Sequence, residues 1–226
     1  MSSDIVLEAI RLERYFRVGR ETITVLAGLD LSLARRQRTA IMGASGCGKT
    51  TLLHLAAGMD TPSAGSVRLV GQDLNQLSEP DLTHLRARRI GLVFQDFNLI
   101  DSLTAAENIR LPLWLNRQRE DAEHFASLID TLAISPLLDR MPSALSGGEK
   151  QRIAIARALV HQPDLILADE PTGSLDEATA ERVLALFDQV ITQSQSALLM
   201  VTHNREAASL CDQQLTLRNG LLQPVA

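Results

Sequence analysis

Gly43-Ala44-Ser45-Gly46-Cys47-Gly48-Lys49-Thr50 carries the spacing of a phosphate-cradling loop, GxxxxGK[ST], directly after the apolar run Thr39-Ala40-Ile41-Met42. Glycines let backbone N–H groups approach phosphate oxygens with no Cβ between them, and a helix starting at the lysine aims its positive end at the same anion. In this pattern Lys49 reaches the β and γ phosphates as a point charge, the Thr50 hydroxyl ligates Mg²⁺, and Thr51 follows in the phosphate-facing turn. The chain has 13 glycines but only two lysines, Lys49 and Lys150, so composition does not produce this match by itself. The spacing predicts a nucleoside triphosphate site.

Three more apolar runs end in residues able to do chemistry. Ile90-Gly91-Leu92-Val93-Phe94 leads into Gln95, Leu165-Ile166-Leu167-Ala168 into Asp169-Glu170, and Ala197 to Thr202 into His203. Burying two adjacent acids without a cation is costly, which points Asp169-Glu170 toward a metal. Alternation along an extended strand would send the two carboxylates to opposite sides. Asp169 is therefore assigned to the Mg²⁺ shell and Glu170 to the general base. Gln95, a further candidate for the Mg²⁺ shell, and His203 are available to orient water or sense the γ-phosphate; an ordinary turn residue is the bland alternative for each. Leu145-Ser146-Gly147-Gly148-Glu149 reads as a second phosphate-facing helix start. Ser146 would cap a helix running to Val160 with Ile153, Ala156 and Leu159 on its apolar side, while the two glycines leave N–H groups bare. A simple capped helix with a loose beginning is the other reading.

Short apolar runs alternating with longer helical patterns predict βαβ units and a mostly parallel sheet, in which ligands sit beyond the carboxyl ends of the strands. The four polar endings are expected to converge on one nucleotide. A chain of 226 residues can bury one substantial core, with room for a small subdomain. Its net charge of −5 disfavours nucleic acid as a main partner. Cys47 and Cys211 do not resemble a disulfide or metal framework, which suits a reducing compartment. Asp4, Glu8, Arg11, Glu13 and Arg14 interrupt any signal-peptide core, and no apolar run reaches membrane-spanning length. Asn219-Gly220 predicts a C-terminal hairpin, and Thr61 to Gly65 and Gly71 to Asp73 predict turns. Trp114, the only tryptophan, is expected in the core rather than in a groove for a membrane partner.

The ordered set of motifs resembles the nucleotide-binding subunit of an ABC transporter over nearly the whole chain: Walker A at 43–50, Q-loop Gln95, the LSGGE signature at 145–149, Walker B at 165–169 with catalytic Glu170, the D-loop Ser174-Leu175-Asp176 and switch His203. The resemblance implies an α/β P-loop NTPase fold with a mostly parallel core sheet, an antiparallel β subdomain and an inserted helical subdomain at about 102–160 carrying LSGGE, all within one ABC ATPase domain spanning 1–226. It implies hydrolysis of ATP with Mg²⁺, a nucleotide contacted by Ser146, Gly147, Gly148 and Asp176 as well as by the Walker A loop, and a Tyr15 that stacks on adenine. Phe16 is the rival stacker, and a core aromatic the plain alternative.

The stretches Leu85-Arg86, Ile90 to Gln95, Leu103-Thr104-Ala105-Ala106-Glu107-Asn108 and Asp169 to Asp176 are similar to bacterial ATPases of the lipoprotein-releasing and macrolide-export type. That likeness implies a second copy closing around two ATPs, polytopic membrane permease subunits as partners, no nucleic acid, and a place on the cytoplasmic face of a bacterial inner membrane. A non-transport ABC-type ATPase acting on a chromosome or ribosome is the competing class, but the chain lacks the long coiled coil or tandem domain of those relatives. Cys47 stands where relatives commonly carry Ser, Thr50 where Ser is common, and Asn204 where Asp is usual; Asn still caps a helix, without the charge.

Overall fold

The computed structural model describes residues 4–19 and 21–225. Contacts divide the chain into two units, the residues up to Arg86 with those from Ala197 onward, and Ala87–Ser196.

In the first unit, β1 (Ile5–Val18) and β2 (Glu21–Ala34) form a long antiparallel pair. From Leu29 to Leu33 buried leucines alternate with exposed residues, the mark of a sheet packed on one face. After β3 (Arg38–Met42) and α1 (Lys49–Ala56), the strands β4 (Ala64–Leu69) and β5 (Gln72–Asp73) join that sheet in the order β2-β1-β4-β5. Ala64 and Gly65, expected in a turn, are therefore strand residues. Helix α2 (Glu79–Arg89) runs across the boundary between the units.

The second unit contains β6 (Ile90–Val93), α3 (Ala105–Leu115), α4 (Ala122–Thr131), α5 (Gly147–Leu159), β7 (Leu165–Asp169) and α6 (Glu177–Gln193). Single 3₁₀ turns occupy Ser135–Leu137 and Pro142–Ala144. The first unit resumes with β8 (Ala197–Val201), α7 (Arg205–Ser209), β9 (Gln213–Arg218) and β10 (Leu221–Pro224). Asn219 and Gly220 both have positive φ, 51° and 75°, so β9 and β10 close through the tight hairpin turn that their sequence predicts.

Parallel pairing does the positioning. β3 lies parallel to β8 and to β9, with Ile41 opposite Val201 and Met42 opposite Thr216. β6 lies parallel to β7, with Val93 opposite Ala168. All five β8 residues and Leu165–Ala168 of β7 are buried, the continuous apolar runs expected of parallel strands covered on both faces. The expected helical run from Ser102 to Val160 holds three α-helices, packed in one unit with β6, β7 and α6.

Trp114 does not enter the core. The buried side of α3 is Ala105, Asn108, Ile109 and Leu113, a stripe at helical spacing, and Trp114 lies one residue off it with 51% of its surface exposed. Asn108 is a polar member of that stripe. Its amide nitrogen donates to the carbonyls of Ile100, Leu103 and Thr104, and its oxygen accepts from Ile100 N–H at 2.8 Å, so it ties the preceding loop to the helix.

Gly91 sets the distance between β6 and α5. A Cβ there would lie 2.1 Å from the Ala158 carbonyl oxygen, a backbone atom that cannot swing aside. Gly91→Ala should destabilise the protein by about 2–3 kcal/mol through overpacking. Urea denaturation measures this; an unchanged midpoint would mean that α5 has slack against the strand.

Candidate functional site

The loop after β3 ends on Gly48, the N-cap of α1, with φ of 106°. A side chain is strained in that conformation, and a Cβ would also meet Val25 Cγ1 at 2.5 Å. Helices α3 to α7 each begin with a side-chain cap, whereas α1 has none. The first N–H groups of a helix have no partner within it, so this start presents bare donors at the end of Gly43–Gly48. Lys49 is only 8% exposed, and its ammonium donates to the carbonyls of Gly43 at 2.9 Å and Ala44 at 3.1 Å. The cation is thereby held inside the loop, while Ala44, Ser45, Gly46 and Thr50 face outward. A Cβ at Gly43 would stand 2.7 Å from Cys47 Sγ, so the half-buried thiol is folded back toward the loop's own start.

His203 leaves β8 at the edge where the phosphate loop leaves β3. Its two neighbours, Thr202 and the helix cap Asn204, are both hydrogen-bonded. Thr202 Oγ1 accepts from Asn204 N–H at 3.0 Å, and Asn204 Oδ1 accepts from the N–H groups of Glu206 and Ala207 at 2.7 and 3.2 Å. The Asn204 amide thus caps α7 through two N–H groups.

In the second unit, Gln95 and Asp169-Glu170 emerge together from β6 and β7. The strand-alternation argument for the two acids fails in detail. β7 stops at Asp169, and Glu170 has φ of 45°, so its direction is set by a left-handed residue and not by the pleat. Gly173 N–H closes that turn on the Glu170 carbonyl at 2.9 Å. A Cβ at Gly173 would meet Gln95 Cδ at 3.2 Å, its Nε2 at 3.3 Å and Glu170 Cβ at 3.3 Å. One point therefore touches both side chains, and the Gln95 amide lies beside Glu170. Ser174 Oγ donates to the Gln95 carbonyl at 2.9 Å.

Ser146 caps α5 in a reciprocal box. Its hydroxyl accepts from Glu149 N–H, and the Glu149 carboxylate accepts from Ser146 N–H at 2.7 Å. These backbone and hydroxyl bonds from Ser146 hold the Glu149 carboxyl below its ordinary range. The box uses the N–H of Glu149 and of Ser146 but not those of Gly147 and Gly148. Gly148 also serves packing, since a Cβ there would meet Thr179 Cγ2 of α6 at 2.5 Å. Asp176 caps α6 by accepting from Thr179 N–H at 3.0 Å, and the side-chain and backbone hydrogen bonds of Thr179 hold its carboxyl low. Tyr15 and Phe16 on β1 are 37% and 40% exposed, so neither is a core aromatic, and Arg14 lies over the Phe16 ring at 4.6 Å.

Three contacts around Gln95 escaped the sequence reading, those of Gln151 and Arg157 of α5 and that of the hydroxyl of Ser174, a residue read only as part of the D-loop. Each side chain donates to a carbonyl between Phe94 and Asn98. A lone arginine among Ile155, Ala156, Ala158 and Leu159 was the available signal for Arg157.

The ABC transporter family profile matches residues 26–173, and the chain belongs to that family. It is 45% identical over 218 residues to a Psychrobacter arcticus protein named lipoprotein-releasing system ATP-binding protein LolD, covering 95% of this chain and 96% of that one. Proteins of the same name from Hydrogenovibrio crunogenus and Pseudomonas syringae pv. tomato are 44% and 43% identical, covering 96% and 98% of this chain and 96% and 99% of theirs. Among solved structures, the ATP-binding cassette MJ0796 in a dimeric post-hydrolysis state bound to ADP and Pi matches with 33% identity and a TM-score of 0.85, over 96% of both chains. The protein is accordingly an ABC ATPase subunit with the α/β P-loop NTPase fold, binding and hydrolysing ATP for a membrane ABC system.

Cys47 is half-buried and Cys211 buried. A maleimide should therefore label Cys47 first and inactivate the protein, saturating MgATP should protect, and Cys47→Ser should stay active and resist. Peptide mapping after brief labelling checks this; modification of Cys211 alone would contradict it.

Proposed function

We propose that this chain is the ATPase of a bacterial lipoprotein-releasing or export complex, acting from the cytoplasmic face of the inner membrane on polytopic permease subunits, and that nucleic acid is not among its partners. The observation that carries the ATP reading is the uncapped start of α1 with Lys49 folded inside its loop. Identity above 40% to proteins named for lipoprotein release supports the subtype. Among the described residues, no helix is long and apolar enough to cross a membrane, which accords with a separate permease.

In this reading Gly43 to Thr51 hold the phosphates, Lys49 neutralises their charge, and Tyr15 stacks on the base. Thr50 and Asp169, with Gln95, suit Mg²⁺, a small cation satisfied by a hydroxyl or amide oxygen, one carboxylate, water and phosphate oxygens. Among the described residues, no group of three or more His, Cys, Asp or Glu could form an all-protein cage. Bound Mg²⁺ would supply charge neutralisation at the phosphates. Glu170 takes a proton from the attacking water, Gln95 and His203 orient that water and respond to the γ-phosphate, and Ser146, Gly147, Gly148 and Asp176 act on the nucleotide of a second copy. Closure of the two copies around ATP is the step that does work on the permease.

Glu170→Gln keeps the shape of the side chain but removes the proton acceptor. Turnover should fall about 10²-fold or more with ATP binding intact, and the mass should double in ATP, which Lys49→Ala should not do. Near-normal turnover in Glu170→Gln would remove its role as base.

Mixing Ser146→Arg chains with Lys49→Ala chains tests the shared sites. In a mixed pair one site combines both defects and the other is wholly wild type, so partial activity should return. Wild-type activity per chain, unchanged on dilution to nanomolar concentration, would mean that each chain works alone.

A further inference from the structure

The loop that follows Gln95 lies along the signature helix. Phe94 O accepts from Gln151 Nε2 at 3.4 Å, Phe97 O accepts from Arg157 Nη2 at 2.6 Å, and Asn98 O accepts from Arg157 Nη1. At the other end of the helix, a Cβ on Gly147 would touch the Phe97 ring at 3.8 Å. Ser174 Oγ holds the carbonyl of Gln95 itself at 2.9 Å.

This loop is a conformation that needs holding. Phe97 and Asn98 have φ of 61° and 48°, two successive left-handed residues, of which only asparagine adopts that region readily. Such a turn persists where its surroundings over-determine it. One guanidinium bridges both carbonyls of the turn, with a separate terminal nitrogen for each held in a rigid plane. Burial pushes the Arg157 guanidinium down to about 10, which leaves it charged at neutral pH. Both terminal nitrogens of the guanidinium are spent on the loop carbonyls, which compensate the buried cation.

We propose that Arg157 is a positioning residue that latches residues 97–98 onto signature helix α5, while Ser174 ties the Gln95 carbonyl to the turn after β7, and that the two together keep the Gln95 side chain packed on Gly173, beside Glu170. The latch makes the helix that starts at Ser146 and the loop that carries Gln95 one mechanical part. The proposal rests on the reading of Gln95 as a group that orients water or responds to the γ-phosphate.

The test is a double-mutant cycle in the full chain, reading MgATP turnover and the affinity for a fluorescent ATP analogue. Arg157→Lys keeps the charge but replaces the planar fork, whose two terminal nitrogens serve one carbonyl each, with a single donor atom on a shorter stem. It should lower kcat about tenfold and leave nucleotide affinity within about twofold, because the phosphate loop is untouched. In a Gln95→Ala background the same change should cost nothing further, since residues acting as one unit are not additive. Ser174→Ala, on an exposed loop, should show the same non-additivity, and it carries the cycle if Arg157→Lys fails to fold. Equal losses with and without Gln95, or wild-type turnover in both Arg157→Lys and Ser174→Ala, would overturn the latch alone. Wild-type turnover in Gln95→Ala would instead remove the role of Gln95 in the functional reading, and the latch with it.

Discussion

Two parallel strands paired in register must release their chains at the same edge, and the chemistry of this protein depends on that constraint. β3 and β8 bring the phosphate loop and His203 out side by side, and β6 and β7 do the same for Gln95 and the acid pair. The strands are short and nearly fully buried. Slippage would drag whole loops inward with their polar groups unpaired, so burial protects the alignment.

Cations held by backbone carbonyls, with no ion pair among the described residues, are a second theme. The Lys49 ammonium and the Arg157 guanidinium are both held by backbone carbonyls of neighbouring loops. Carbonyl dipoles compensate a charge less completely than a carboxylate does. For Lys49 this leaves a positive centre that still favours phosphate; for Arg157 it makes the geometry of one loop the condition for burying the charge.

Helix starts supply the rest of the architecture. Ser146, Asp176 and Asn204 each satisfy first-turn N–H groups of their own helix. Capping fixes the direction from which the chain enters each helix, so these residues orient the loops before them. The hydrogen bonds that Asp176 and Glu149 accept in these caps hold their carboxyls below the ordinary range.

Much of this was legible in the sequence because motif spacing is local. The phosphate loop, the four strands that end in polar residues, the Ser146 cap and the Asn219-Gly220 hairpin depend on neighbours within a few positions, where glycine, capping and strand preferences act directly. The sequence by itself also determined the family, since its motifs occur in a fixed order. Tertiary structure decided what depends on residues far apart in the chain. Trp114 is outside the core because the stripe of α3 that meets its neighbours runs through Leu113. Glu170 points where a left-handed turn sends it, and not where a strand pleat would. Arg157 reaches carbonyls some sixty positions earlier. Spacing along the chain records which residue types are present, but burial of a charge and the strain of a turn exist only once distant backbone is packed against them.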